Sequence, residues 1–406
     1  MRNVEPPIPR RHVFLVTAVA EGGTLSVMRQ FWTRLMPLGP VEVVSHGPDR
    51  VEVPVPSTTV GGRYGGPMRF PAIWVYLARM VVAAVRAARR AGPAVLLPQD
   101  SLATGAAAAI AGRLTRTPVL LMEHGSAIAI RTEYYWGTRI VMTRRRDRWT
   151  KPLLRASVHL LHGLCVRLVD LALVAGDESE AALRTAGMSP RRIRRYHFPV
   201  EIDRFRPARP GEQEALRAEL GLPPDIRVLA SVSRLTHEKG LDLVIDALAM
   251  LPANERPMLV VGGDGPMRSA LEAEATTRGV PAQFVGSLDR GAVARLLRAA
   301  DAFVYAGRQG ANTPYAVLEA MASGLAVIAT TEPVAHLAML AGGRGYAVPP
   351  EDSAAMTAAV RQVVHDPGAA RACGRLARDY VEAHHAPAVL DRELREIMAG
   401  LAPPRA

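Results

Sequence analysis

The chain has 406 residues, 49% hydrophobic and 22% charged, with a formal net charge of +12. That length exceeds what one core usually fills, so two domains of roughly 200 residues are expected, and the apolar fraction supports globular packing throughout. Two cysteines far apart, Cys165 and Cys373, exclude a disulfide framework and fit a reducing cytosol, while the basic balance asks for an anionic partner: a nucleotide, a nucleic acid or a membrane surface.

At the N-terminus, Arg10-Arg11-His12 precedes an apolar run, Val13–Ala20, that leads straight into Glu21-Gly22-Gly23. The run is short and lacks a small-residue cleavage site, so a first strand with a basic flank is expected rather than an export signal. Strands are expected at Val13–Val19, Val41–Ser45, Val95–Pro98, Val119–Glu123 and Leu171–Ala175, with helices at Leu25–Leu35, Pro71–Ala91, Gly105–Leu114, Pro152–Val169 and Ser179–Ala186. The longest apolar run, Phe70–Val85, is broken by Arg79 and is too short to span a bilayer. Arg79, Arg86 and Arg90 share one helical face there and Ile73, Leu77, Val81 and Ala84 another, as in an amphipathic helix packed on a sheet.

Between Arg131 and Arg167 stand nine Lys/Arg and two acids, with Tyr134, Tyr135, Trp136 and Trp149 interleaved. Such a stretch suits anionic lipid headgroups, a cleft loop facing an anionic acceptor, or a solvated basic face. His159 and His162 flank one turn without a third ligand and read as surface residues; no metal-site spacing is present. Pro207, Pro210, Pro223 and Pro224 place a domain boundary within Pro199–Asp225. The domains are accordingly set at 1–199 and 200–386, followed by a last helical pattern from Pro387. Beyond the boundary, strands are expected at Val228–Ser231, Met258–Val261, Ala282–Val285, Ala302–Tyr305 and Ala326–Ala329, each followed by a helical pattern. Alternation from end to end implies parallel sheets with helices on both faces.

Four segments of the second half carry chemistry. Ser233–Gly240 joins a strand to a helix and sets Arg234 and Lys239 five residues apart beside a helix N-terminus, which suits a diphosphate. Val260–Pro266 is a strand ending in a Gly-rich turn; Val285-Gly286-Ser287-Leu288 ends another strand. Pro314–Ala329 is a helix closed by Gly324 and followed by a strand, with Thr313-Pro314 reading as cap and first helical residue. Glu319 sits inside that apolar helix, where a carboxylate needs partners, either ligand hydroxyls or a neighbouring Arg.

In this order and spacing the four segments, over about Arg227–Val348, resemble the C-terminal half of family 4 glycosyltransferases, the retaining nucleotide-sugar enzymes of GT-B fold. The resemblance implies an α/β protein of two Rossmann-like doubly wound domains facing a central cleft, with the last helix, from Pro387, crossing back onto the first domain. It implies a UDP- or GDP-sugar donor as substrate, no cofactor and no metal, a hydroxyl acceptor, and no nucleic acid. Arg234 and Lys239 would then hold the donor diphosphate and Glu319 the ribose hydroxyls, with Asn312, Thr313, Pro314 and Tyr315 at the donor. Backbone at Gly286, Ser287 and Leu288 would meet the base. In the first half, Gly22-Gly23-Thr24 lies between a strand and a helix, where glycines let the backbone approach a donor phosphate or sugar closely or simply form a tight turn. His124, in Glu123-His124-Gly125, would contact the transferred sugar, with Asp100 a further candidate at the acceptor. The family pattern of Glu, seven residues, Glu puts its first carboxylate where this chain has Ala311; Gln309 or Asn312 are the polar replacements to hand. Only Phe205-Arg206-Pro207 survives of the family's boundary motif.

A cytoplasmic enzyme, with a peripheral station on the inner membrane face through residues 131–167, is expected. The alternatives are a catalytically weak nucleotide-sugar-binding protein, which Ala311 suggests, and a GT-B sugar-nucleotide epimerase or phosphorylase, which would use a similar phosphate grip, the epimerase needing further carboxylates near the anomeric carbon. The acceptor stays open between an envelope lipid or glycan intermediate and a small metabolite.

Overall fold

The computed structural model describes residues 11–16, 23–46, 56–60, 72–90, 93–124, 151–308, 315–332 and 335–401. The chain divides into two compact units, Met1–His197 with Leu390–Ala406, and Phe198–Val389.

In the first unit the strands are β1 (Arg11–Val16), β2 (Val41–His46), β3 (Ser57–Val60), β4 (Ala94–Pro98), β5 (Leu120–Glu123), β6 (Leu171–Val174) and β7 (Ile193–Arg195). They pair in parallel in the orders β3-β2-β1-β4 and β5-β6-β7, and a parallel bridge from Leu96 to Val119 connects the two sheets. The helices are α1 (Gly23–Leu35), α2 (Ala72–Ala88), α3 (Ala103–Thr115), α4 (Lys151–Leu168) and α5 (Asp177–Thr185). β4 and β5 are buried along their whole length, as strands covered on both faces must be.

α3 is the packing centre. Its alanines at 103, 106, 107, 108, 109 and 111 are fully buried, because small side chains let α2 and α4 close on it. A Cβ at Gly105 would stand 2.5 Å from both the Asp100 carbonyl oxygen and Cys165 Sγ. On α2, Ile73, Leu77 and Ala84 are buried and Arg79, Arg86 and Arg90 exposed, the amphipathic division that the sequence implies. On α4, His159 is exposed but His162 is buried, contrary to the surface reading. It turns inward at i+3, is hydrogen-bonded to the Ser101 backbone, and burial pushes its pKa down to about 4.

The second unit has β8 (Val228–Val232), β9 (Met258–Gly262), β10 (Ala282–Gly286), β11 (Ala302–Tyr305), β12 (Ala326–Thr330) and β13 (Tyr346–Val348), all parallel in the order β10-β9-β8-β11-β12-β13. Numbered within the unit this is 3-2-1-4-5-6, the doubly wound dinucleotide-fold order. Its helices are α6 (Glu212–Glu219), α7 (Leu241–Ala249), α8 (Arg268–Thr277), α9 (Arg290–Ala299), α10 (Tyr315–Ala322), α11 (Ala335–Leu340), α12 (Ser353–His365) and α13 (Pro367–His385). α14 (Pro387–Gly400) ends the described chain, and from Leu390 it belongs to the first unit. There Arg34 pairs with Asp391 at 3.2 Å, and the Glu393 carboxylate accepts from the His197 backbone N–H at 3.0 Å and lies 2.6 Å from His197 Nδ1. No described helix is long and apolar enough to cross a membrane.

The segment Phe198–Phe205 is strapped onto α13 within the second unit. Val200 N–H donates to the His385 carbonyl at 2.8 Å, and Arg378 Nη1 donates to the carbonyls of Ile202, Phe205 and Ala322. α13 can approach the end of α10 because position 374 is glycine: a Cβ there would lie 1.9 Å from the Gly324 carbonyl oxygen. Gly374→Ala must push two backbones apart, and an urea melt should show the second unit destabilised by about 2–3 kcal/mol. An unchanged midpoint would mean that α13 is free to shift.

Candidate active site

In a sheet of order 3-2-1-4-5-6 the connections leave β8 and β11 toward opposite faces, which opens a crevice beyond their carboxyl ends. The turn after β8 occupies that position. Ser233 N–H donates to the Gly262 carbonyl at 3.1 Å and Leu235 N–H to the Asp264 carbonyl at 2.9 Å, so the turn after β9 lies directly on it. That contact needs glycine: a Cβ at Gly263 would stand 1.8 Å from the Ser233 carbonyl oxygen. On the other side Gly240, at φ +64°, begins α7 so close to β11 that a Cβ would be 1.9 Å from the Ala306 carbonyl oxygen.

The two cations of this turn differ. Arg234 is exposed and pairs only loosely with Glu238, at 3.6 Å. Lys239 is half-buried, with Nζ 3.4 Å from Tyr305 Oη and 5.8 Å from that ring's centroid. Burial, and next Arg234, lower the Lys239 pKa, whereas Glu238 raises it. A cation so poorly solvated gains strongly from an arriving anion.

Arg308, just beyond β11, fixes the turn. Its guanidinium donates to Asp242 Oδ1 and Oδ2 at 2.7 and 2.8 Å, to the His237 carbonyl at 2.9 Å, and to both oxygens of Glu351, while Arg308 N–H donates to the Glu238 carbonyl at 3.0 Å. One side chain thus ties together the basic turn, the first turn of α7 and the loop before α12. Its pKa is raised, first through the hydrogen bonds to Asp242. Sequence reading passed over Arg308, Asp242 and Glu351; the one available signal was a basic residue at a strand end.

Glu319 on α10 is 6% exposed. Its partner is a neighbouring arginine: Arg290 Nη2 lies 3.2 Å from Glu319 Oε1 and 3.4 Å from Glu201 Oε1, with the guanidinium 5.3 Å from the centre of the Phe205 ring. Burial raises the Glu319 pKa to about 7, Arg290 opposing and Glu201 adding to it. Nearby, Gly286 takes φ +76° and its carbonyl accepts from Gly263 N–H at 2.7 Å. Ser287 is exposed, Leu288 packs over Gly262, and Asp289 caps α9 through the Ala292 N–H at 2.7 Å. Tyr315 opens α10 against Phe198, ring centres 5.3 Å apart. Gln309, Ala311, Asn312, Thr313 and Pro314 lie outside the described residues, as do Gly22, Gly125 and residues 131–150; Gly23 is the first residue of α1.

In the first unit His124 follows β5. Its Nε2 donates to Gln99 Oε1 at 3.1 Å and its Nδ1 lies 3.5 Å from Tyr196 Oη. Burial holds its pKa down to about 4, so the ring is neutral at physiological pH. Asp100 is committed to its own turn, accepting from Leu102 N–H at 2.9 Å and Thr104 Oγ1 at 2.6 Å, which leaves less of it for an acceptor than its strand-end position implies.

Residues 212–380 match the family model of glycosyl transferases group 1. Across 96% of the chain the fold superposes on all of Anabaena HepE in complex with UDP-glucose, with a TM-score of 0.75 at 18% identity. It also superposes on sucrose-phosphate synthase from Thermosynechococcus elongatus, with a TM-score of 0.76 at 18% identity over 96% of this chain and 98% of that one. The chain has the GT-B fold. D-inositol 3-phosphate glycosyltransferases of Mycobacterium bovis and Mycobacterium tuberculosis are 32% identical over 232 residues, 48% of this chain and 45% of theirs, so the chain spans under half the length of these relatives. Arg234, Lys239, Gly286, Ser287, Leu288, Tyr315 and Glu319 all fall inside the matched glycosyl transferase segment; Gly22, Gly23 and His124 fall outside it.

Arg308→Ala would leave Asp242 and Glu351 facing each other without a cation. Thermal melting should show a loss of about 2 kcal/mol, and Arg308→Lys should restore it only in part, because an ammonium cannot bind Asp242 through two parallel N–H groups.

Proposed function

We propose that the protein is a retaining glycosyltransferase that moves a sugar from a UDP- or GDP-sugar to a hydroxyl acceptor. The observation that carries this reading is the desolvated Lys239 beside exposed Arg234, held at the carboxyl ends of β8 and β11 by Arg308. As the C1–O bond to the diphosphate breaks, negative charge grows on the leaving oxygens, and two fixed cations stabilise it without a proton donor. The acceptor oxygen bonds to C1 on the same face, and its proton passes to a phosphate oxygen. At the turn, Asp242 is bound through both oxygens by Arg308 and so is not free as a nucleophile.

UDP is favoured as the leaving nucleotide, since HepE, which shares the fold, binds UDP and UDP-glucose. Glu319 serves the ribose hydroxyls, Gly286–Leu288 the base and His124 the transferred sugar. Metal plays no part in the proposed step. A peripheral station on an anionic membrane finds support in α4, which exposes Leu153 and Leu160 with Arg155 and Arg167. A nucleotide-sugar-binding protein without turnover is the second reading, favoured by Ala311 in place of the family Glu. A donor panel assayed for transfer and hydrolysis separates them: turnover by the wild type eliminates the binding-only reading.

Arg234→Ala and Lys239→Ala should each lower transfer by about a hundredfold or more while leaving the melting curve in place. Near-normal turnover in either would sink the assignment. Glu319 is neutral below its pKa of about 7 and anionic above it, and only the anion accepts from two hydroxyls at full strength. UDP affinity measured by calorimetry should therefore rise from pH 6 to pH 8 in the wild type, and be weak and flat in Glu319→Gln.

A further inference from the structure

Arg290 is an unusual partner for Glu319. Its Nη2 lies between Glu319 at 3.2 Å and Glu201 at 3.4 Å, yet Nη2 and Nε are buried without an aligned hydrogen-bond acceptor. The guanidinium rests against Phe205, itself fully buried. Arg204 Nε meanwhile pairs with the other oxygen of Glu201 at 2.8 Å. One cation is thus suspended between two carboxylates and satisfied by neither, and a small displacement toward either changes the field at the other.

We propose that Arg290 and Glu201 tune Glu319 as the nucleoside-binding group: Arg290 is a positioning residue that holds Glu319 as an anion with Oε2 left for ribose hydroxyls, and Glu201 opposes it by drawing the same guanidinium away. The inference rests on Glu319 being the ribose-facing carboxylate. Among the described residues, the charged groups around that carboxylate come from three elements. α9 offers Arg290, the segment after Phe198 offers Glu201 and Arg204, and α13 offers Arg378, which caps the Ala322 carbonyl, and His385, bound to the Phe198 carbonyl at 2.9 Å. β11 and β12 offer no charged side chain. Burial works against the anion, Arg290 and Arg204 work for it and Glu201 against it, as the direction of the Glu319 shift reflects.

The two partners therefore predict opposite signs. UDP is titrated by calorimetry from pH 6 to pH 8.5 into the wild type, Arg290→Gln, Arg290→Lys and Glu201→Gln, with a thermal melt of each. Arg290→Gln should move the midpoint of the pH profile up by about one unit and weaken binding at neutral pH about fivefold, with Arg290→Lys between it and the wild type. Glu201→Gln should move the midpoint down and tighten binding at neutral pH. In the ligand-free protein, the carboxyl carbon resonance of Glu319, assigned by its absence in Glu319→Gln, should titrate lower in Glu201→Gln than in the wild type; this holds the inference to account should Arg290→Gln not fold. An Arg290→Gln that loses affinity by the same factor at every pH overturns it, as does a Glu201→Gln that weakens binding or leaves the Glu319 titration unmoved. A wild type that binds neither UDP nor GDP overturns the donor reading and this inference with it, whatever the carboxyl resonance does.

Discussion

The Arg308 guanidinium donates at once to Asp242, Glu351 and the His237 carbonyl, and its backbone N–H reaches the Glu238 carbonyl. The donor site proposed for the second unit depends on that knot, because a basic turn is of little use for charge stabilisation unless it is held still. Cations that must reorganise as charge develops lose much of what they offer, whereas fixed ones act in full. The knot works with close backbone approaches at Gly240 and Gly263, which set the turn against the segments beyond β11 and β9. The strand order supplies the place, glycine the proximity and Arg308 the rigidity.

How much of this was legible in the sequence follows from the range of each interaction. The alternation of strand and helix, the basic turn and the apolar helix around Glu319 are local patterns, and they read through. β3, β7 and β13 did not, because each is at most four residues long and lies at a sheet edge, where alternation has no length in which to show. β7 even reads as Ile-Arg-Arg, with two exposed arginines. Arg308 finds Asp242 66 positions away, and no periodicity announces such a pair. Glu319 was legible as a carboxylate in need of a partner, while Arg290 as that partner was not. His162 was misread because it sits one helical turn from exposed His159, and only the tertiary packing of α3 on α4 decides which of the two points inward.

The net charge of +12 carries less weight than it first suggests. Many arginines of the second unit are engaged within the fold: Arg206 and Arg298 with Glu212, Arg217 and Arg227 with Asp301, Arg278 with Asp246 and Glu274. Such pairs at the surface contribute little to stability, but they occupy the cations and leave few free to meet a distant polyanion. Arg234 stands apart because its ion-pair partner among the described residues, Glu238, is held loosely, at 3.6 Å. Local imbalance, rather than the sum over the chain, is what makes an anion site.

A carboxylate buried to 6% exposure also has a thermodynamic consequence. The folded-state pKa of Glu319 is raised from 4.5 to about 7, so its contribution to stability is fully present below the unfolded value and is lost as pH rises through the folded one. At neutral pH and above, folding must carry an ionisation penalty of up to about 3 kcal/mol, an order-of-magnitude figure from a shift of that size. An apolar residue at this position of α10 would avoid the penalty and suit the surrounding Val317, Leu318, Ala320 and Met321 better. A carboxylate kept there against that penalty, with Arg290 3.2 Å away, fits the ligand-binding role proposed for it better than a role in packing.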